Sequence, residues 1–281
     1  MLKAPYKEGC SNLMKKVFFM KDLILKKLRK YKPRSFGWFN DYKTWQEAEK
    51  DCNAYDEQAI HEKLKSSILK VKNGEAAYER DGIIYDQIYY SWPLLSHLML
   101  TASQNNNQLS LIDFGGSLGT SFFQNKKYLN QLDKVQWDVV ELGYLIETGK
   151  KEIAEKGLDF FYDIEDATKT NGKHQILIAN GVIPYLEKPY ELFDVFKSFD
   201  FEYIIIESTY FNYEARDRIC MQITNPKAYV AFYPCWLLNY EKVKAYFADK
   251  YVVFAEYFND IHFYLDGERV EYRSVVFKKK S

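Results

Sequence analysis

The chain has 281 residues with 39 Lys/Arg against 39 Asp/Glu, so its formal net charge is zero and a polyanion binder is excluded as a reading of the whole. Hydrophobic residues make up 47% and charged residues 28%, the balance of a globular protein with a substantial core, which excludes collagenous, disordered and disulfide-scaffold classes. Cys10, Cys52, Cys220 and Cys235 lie far apart without a CxxC or a Cys/His cluster, so they read as free thiols of a reducing cytosol, and no metal site is expected.

Charge is unevenly spread. Residues 1–34 hold eleven Lys/Arg and two acids, net +9, and the remaining 247 residues are net −9. Between Leu13 and Tyr31, apolar residues recur at Leu13, Val17, Met20, Ile24 and Leu28, while Lys15, Lys16, Lys26, Lys27, Arg29 and Lys30 fall mainly elsewhere on the wheel. That pattern predicts a basic amphipathic helix. Its apolar stripe either docks on the protein itself or on a second subunit, or lies on anionic lipid. Pro33 ends it. No uncharged apolar run approaches the roughly 18 residues of a membrane span, and lysines interrupt every candidate secretory core. A cytoplasmic protein is expected, with at most peripheral contact at the inner membrane surface.

Helical pattern resumes at Thr44, which can cap a helix carrying Glu47 at its third position, and again at Asp56, with Ile60, Leu64, Ile68, Leu69 and Val71 as its buried side. Residues 74–93 mix acids with tyrosines and lose helical period, so they predict a structured excursion before a helix from Leu94 to Ala102. The polar stretch Ser103–Gln108 is a linker. Residues 35–104 are thus expected as a helical region capping the site, and residues 105–281 as a separate domain.

From Leu109 onward, short apolar runs alternate with helical segments: LSLIDF (109–114), VQWDVVEL (135–142), LDFFY (158–162), HQILIAN (174–180) and FEYIIIE (201–207). Strands spaced in this way make parallel crossover units, and runs such as ILIA and YIII suit strands covered on both faces. Tyr240–Asp249 reads as helix; Tyr251–Phe258 and Val270–Phe277 read as strands joined by a loop that contains Asp266 and Gly267. The fold class expected is α/β, a Rossmann-like, doubly wound, mostly parallel sheet with an antiparallel final strand.

Ligands of such sheets bind at the carboxyl ends of the strands, near the reversal of strand order, where glycines let backbone approach them. The turn after the first strand is Asp113-Phe114-Gly115-Gly116-Ser117-Leu118-Gly119. It lacks the spacing of a nicotinamide fingerprint, and no G-K-[ST] follows to make a P-loop. Segment LIDFGGSLGT resembles instead the acidic-x-Gly-x-x-x-Gly turn of class I S-adenosylmethionine-dependent methyltransferases, with Ser117 in place of the usual middle glycine. The resemblance implies that Gly115, Gly116, Ser117 and Gly119 line the cofactor. It implies further that Glu141, at the end of the second strand, accepts both ribose hydroxyls, that Asp163 contacts the adenine amino group, and that Asn180 borders the methyl donor.

More narrowly, WFNDYKTWQEA, ERDGIIYDQIYYSWPLL, DFGGSLGTSFFQN, EARDRICMQ and YPCW resemble segments of proteins assigned as bacterial methyltransferases and often associated with surface-polysaccharide loci, over about residues 36–277. This resemblance implies a small-molecule or glycan acceptor. Aligning a nucleophile with the activated methyl is the main task, and a sugar hydroxyl also needs a base. Three connections are expected on the ligand face, 180–188, 208–238 and 259–269. His262 on the last, and Asp217 on the second, are the candidate bases, with Glu207 a further candidate. Arg216 and Arg218 are placed to hold a substrate phosphate or carboxylate, or else to form surface ion pairs. Segments 78–93 and 208–238 are expected to cover the cofactor, with Tyr90, Trp92, Tyr233 and Trp236 available to stack on a sugar or to fill the core. Two other classes stay open: a noncatalytic cofactor-binding module, and a nicotinamide-dependent oxidoreductase on nucleotide sugars.

Each Lys or Arg near an anionic surface contributes on the order of 1 kcal/mol, attenuated by salt. Deletion of residues 1–34 is therefore expected to abolish sedimentation with anionic liposomes while leaving S-adenosylhomocysteine binding intact. Lack of liposome binding by the full chain at low salt, or a deletion that unfolds the protein, counts against a membrane tether.

Overall fold

The computed structural model describes residues 36–52, 57–226 and 228–281. The basic segment 1–34 with its expected helix, and Asp56 at the expected start of another, lie outside the described residues. In chain order the elements are β1 (Gly37–Tyr42), α1 (Trp45–Asp51), α2 (Glu57–Lys72), β2 (Tyr78–Arg80), β3 (Ile83–Tyr85), α3 (Trp92–Gln104), β4 (Gln108–Phe114), α4 (Thr120–Leu129), β5 (Lys134–Val140) and α5 (Gly143–Thr148), which continues as a π turn, Gly149–Ile153. There follow β6 (Leu158–Phe161), α6 (Ile164–Asn171), β7 (Ile176–Asn180), a 3-10 turn (Ile183–Tyr185), α7 (Pro189–Ser198), β8 (Tyr203–Asn212), β9 (Arg218–Ile223), β10 (Phe232–Asn239), α8 (Tyr240–Phe247), β11 (Tyr251–Leu265) and β12 (Glu268–Lys279).

Side-chain caps start several helices where the sequence offers them. Thr44 accepts from the Glu47 backbone N–H, and Asn239 from that of Lys242 at 2.6 Å, so each supplies a partner to a donor that the helix leaves open. Trp38–Ser281 form one compact unit.

The main sheet runs β6-β5-β4-β7-β8, all parallel, and β12 then pairs antiparallel with β8 and β11 antiparallel with β12. Consecutive residues of the central strands feed opposite layers. Ile176 and Ile178 enter the layer that holds Leu98 and Phe122, whereas Leu177 and Ala179 enter the layer that holds Phe193 and Phe247. Tyr203 and Ile205 split from Ile204 and Ile206 in the same way. The side-chain period of two, combined with helices on both faces, is why these strands read as unbroken apolar runs. Strand order reverses at β4, whose neighbours are β5 on one side and β7 on the other, and a crevice opens at their carboxyl ends.

Two strands run further than their sequences suggest. Glu207, whose buried carboxylate accepts the Ser91 hydroxyl at 2.7 Å, does not end β8, because β12 and β10 pair with the residues beyond it. The strand bends at Ser208 (φ 55), opposite a register shift between Arg273 and Val275, and continues to Asn212. Beyond the end of β7, its freed edge takes β10 in parallel at Phe211 and Asn212, and β9 and β1 follow outward. The long connection expected over residues 208–238 is therefore mostly strand. Likewise β11 passes a register shift between Phe258 and His262 and ends only at the turn of Asp266 (φ 51) and Gly267 (φ 89), so most of 259–269 is hairpin rather than loop. No helix among the described residues is long and apolar enough to cross a membrane.

Gly149 lets α5 lie close on β6: a Cβ there would stand 2.4 Å from the ring of Phe160, itself fully buried. Gly149→Ala is expected to lower the unfolding free energy by about 1–3 kcal/mol, the usual cost of an added methyl in a packed core. The readout is a lower urea midpoint at unchanged m-value. An unchanged midpoint would show that Phe160 yields without cost.

Candidate functional site

At the end of β4 the chain turns back over its own last residues. Gly115 (φ 71), Ser117 (φ 52) and Gly119 (φ 84) all take left-handed backbone. A Cβ on Gly115 would lie 2.5 Å from Val182, and one on Gly116 would lie 2.6 Å from the carboxyl carbon of Asp113. Only a glycine pair fits between the strand end and the residues that flank it. Gly119 brings no side-chain cap to α4, so the positive end of the helix dipole stands at the turn.

Asp113 lies beneath this turn, fully buried. Its Oδ2 accepts the Trp137 indole N–H at 3.0 Å, and among the described residues its Oδ1 has no partner. Burial pushes the carboxyl up to about 7; the Trp137 hydrogen bond and the Arg80 charge oppose the rise, and Glu141 adds to it.

On the β5 side, Glu141 Oε1 accepts the Ser117 backbone N–H at 3.3 Å and Oε2 that of Leu142 at 2.6 Å. Burial raises its pKa, and the two N–H groups hold the rise back. A carboxylate has about four lone-pair sites, so two remain for hydroxyl donors.

The β7 side is built from farther away. Asn180 Oδ1 accepts from Arg80 at 3.2 Å, while its Nδ2 reaches the Ser121 hydroxyl at 3.4 Å. Arg80 stands at the tip of the β2–β3 hairpin, whose turn is Asp81 (φ 52) and Gly82 (φ 74). The hairpin is held down by buried Glu79, which accepts the Thr120 hydroxyl and, at 3.1 Å, the Gly82 N–H. Sequence reasoning missed Arg80. The D-G pair in ERDGIIY is the signal that places it at a hairpin tip.

Between Arg80, Asp81, Gly115–Ser117 and Asn180 lies a space of about 60 Å³. The residues suit an S-adenosyl cofactor in chemistry: a glycine turn that admits close approach, a carboxylate with spare acceptors and a helix start. Ligand sites usually measure about 300–1,000 Å³, so this space is the inner part of such a site at most. A larger recess of about 410 Å³ runs along Glu147–Glu152, on α5 and its π turn, and includes no strand-end residue.

Other expected site residues do not line this space. Asp163 stands just beyond β6 as the N-cap of α6, accepting the Asp166 N–H at 2.7 Å. Asp217 is engaged with Tyr190, with the Asn239 N–H at 2.8 Å and with Lys242, all in the α7–α8 layer. His262 belongs to β11, paired with Glu271, four strand spacings or about 19 Å to the side of β4. Arg216 is ion-paired with Asp41, and buried Arg218 meets Asp41, Glu214, Asp266 and Glu268. Tyr90, largely exposed Trp92 and Tyr128 cluster, Tyr233 packs on Tyr185 at 5.9 Å, and Trp236 stacks on Trp45 at 6.1 Å while donating to the Glu187 carbonyl. The turn, Glu141 and Asn180 come together; His262, Asp217 and the two arginines do not join them.

No family model matches the chain, and no curated protein matches it. Among solved structures it is similar to the N-terminal domain of EvdMO1 in the presence of SAH and D-fucose, at 14% identity and a TM-score of 0.43 over 80% of this chain and 98% of that one. It is similar to the Burkholderia thailandensis 1,6-didemethyltoxoflavin-N1-methyltransferase, at 8% identity and a TM-score of 0.41 over 89% of this chain and 98% of that one. A third likeness is to the glycopeptide N-methyltransferase MtfA, at 11% identity and a TM-score of 0.42 over 64% of this chain and 93% of that one. At such identities and scores these likenesses decide nothing about ligand or acceptor. The chain's own strands form a mixed α/β sheet, mostly parallel with antiparallel strands.

Because the Asp113 pKa in the fold lies above its ordinary value near 3.8, the protonated carboxyl favours the fold at low pH, and that contribution is lost as pH rises through about 7. Between about pH 4 and pH 7 the wild type is expected to lose stability relative to Asp113→Asn, by on the order of 1 kcal/mol per pH unit at the steepest point. Urea denaturation of both proteins across that range measures it. Parallel curves would mean that Asp113 titrates as in the unfolded chain.

Proposed function

We propose that the crevice at the ends of β4, β5 and β7 binds S-adenosylmethionine and that the protein transfers its methyl group to a small-molecule or glycan acceptor. The observation that carries the reading is the joining of Glu141 to the Ser117 N–H, which sets a carboxylate with free acceptors beside a glycine turn at the point where strand order reverses. When bound, the cofactor supplies a methyl group already activated on a sulfonium. Glu141 accepts the ribose hydroxyls, the turn admits the ligand, and the hairpin over it excludes water. Asp163 and Asn180 flank the site at the adenine and at the methyl donor. Tyr90 and Trp92 are the aromatic faces offered to the acceptor, whereas Arg216 and Arg218 are held by carboxylates and Tyr233 and Trp236 by Tyr185 and Trp45, so none of these four is assigned to it. No general base is placed at His262 or Asp217, which sit in the β11–β12 hairpin and the α7–α8 layer.

The glycan class of acceptor, and a role in surface-polysaccharide synthesis, rest on the resemblance of the segments around Trp38, Arg80, Gly115 and Asp217. In this reading the basic N-terminal segment holds the enzyme at the cytoplasmic face of the membrane or against a second subunit.

Calorimetric titration is expected to show binding of S-adenosylhomocysteine and none of NAD. Charge-assisted hydrogen bonds contribute roughly 1.5–3 kcal/mol each before desolvation, so Glu141→Ala is expected to weaken S-adenosylhomocysteine at least tenfold. Unchanged affinity in a folded variant would overturn the assignment.

A further inference from the structure

Two of the chain's four cysteines fall on one rung of the sheet. In the antiparallel pairing of β9 with β10, Cys220 stands directly opposite Cys235. Opposite residues share a face, and both side chains are buried in the cluster that holds Leu237 and Phe263. Both are free thiols.

The hydrogen-bond phase of the ladder fixes how close they come. At the loop end of the pair the Thr224 N–H donates to the Ala231 carbonyl at 3.0 Å, and alternate rungs repeat that bonding, so Gln222–Tyr233 and Cys220–Cys235 are bonded rungs. Pro234, which has no N–H to give, stands opposite Met221 on a rung that asks for none. Residues facing each other on a bonded rung have Cα atoms about 5.5 Å apart, and disulfides span about 4.4–6.8 Å between Cα atoms. The rung therefore meets the separation that a disulfide requires. The Cys220 thiol already donates to the Cys235 carbonyl at 3.3 Å.

We propose that Cys220 and Cys235 form a cross-strand disulfide when a peroxide reaches them, and return to thiols under a thiol reductant. One sulfur attacks a peroxide oxygen, giving a sulfenic acid and water; the second sulfur displaces that oxygen as another water, so two thiols and one peroxide become one disulfide and two waters. Reduction runs through a mixed disulfide with the reductant and leaves both protein thiols protonated. A hydrogen bond to Cys235 and burial hold the Cys220 thiol well above its ordinary range, so the closed pair is a poor nucleophile and its oxidation is paced by opening of the rung. The same burial disfavours bulky disulfides as oxidants and favours hydrogen peroxide, which is scarcely larger than water.

A bond between residues 15 positions apart narrows the unfolded ensemble and steadies the fold. Its effect reaches beyond the rung. Two residues on, Gln222 accepts the Tyr185 hydroxyl at 2.6 Å, so the bond stiffens the strand that holds the turn after β7.

The test uses the full chain with Cys10→Ser and Cys52→Ser, so that only the pair can react. Treatment with hydrogen peroxide is expected to lower the mass by about 2 Da, to abolish both thiols in a titration under urea, and to join the tryptic fragments that carry residues 220 and 235. The urea midpoint is expected to rise, and dithiothreitol to restore mass and midpoint together. Cys220→Ser on the same background is expected to lose both the mass change and the shift, with Cys235→Ser as the variant should that one not fold. The joined fragment is expected in the peroxide-treated wild type as well. Two thiols still free after prolonged treatment, a mass gain of about 32 Da from a sulfinic acid, or a bond between two chains would overturn the proposal.

Discussion

Burial of both faces of β4 is the constraint on which the rest of the structure depends. With core on each side and a strand at each edge, its residues reach ligand only at the carboxyl end, and there a buried carboxyl, Asp113, lies directly beneath the turn. Trp137 brings β5 to that carboxyl, Gly116 lies directly on it, and Glu141 picks up the same turn at Ser117. Core packing and the candidate site are therefore one continuous set of contacts. A change in the seating of Trp137 would be felt at the turn.

What was legible in the sequence is what local pattern controls. ILIA and YIII announced strands covered on both faces because alternate residues serve different layers, and DFGGSLG announced a tight turn because only glycine tolerates its backbone. Glu141 followed from its place at the end of the next strand. The misreadings arose where a distant residue decides the outcome. Glu207 looks like a strand terminus until β12, about 60 positions later, pairs with β8 as far as Asn212. For Arg216 and Arg218 the sequence leaves a substrate anion and an ion pair both open, and Asp41, about 175 positions earlier, and Asp266 decide for the ion pair. Arg80 escaped notice for the same reason: nothing near it in the chain says that Thr120 and Asn180 will receive its hairpin.

The outer part of the sheet relies on charge where the centre relies on apolar packing. Arg218 is buried among four carboxylates drawn from β1, the segment before β9 and the β11–β12 turn, and it also donates to the Asn40 carbonyl at 3.2 Å. One guanidinium thus fixes three pieces of chain whose acids would otherwise repel one another. Such an arrangement adds little net stability, yet removing the arginine would leave four carboxylates facing one another.

The hairpin over the glycine turn also ties together pieces of chain that are far apart in sequence. Glu79 reaches Thr120 at the start of α4, Arg80 reaches Asn180 at the end of β7, and the Ser67 hydroxyl on α2 donates to the Gly82 carbonyl. The segment before α3 therefore belongs to the same cooperative unit as the sheet, and its amides are expected to exchange with those of the sheet rather than with those of the loops.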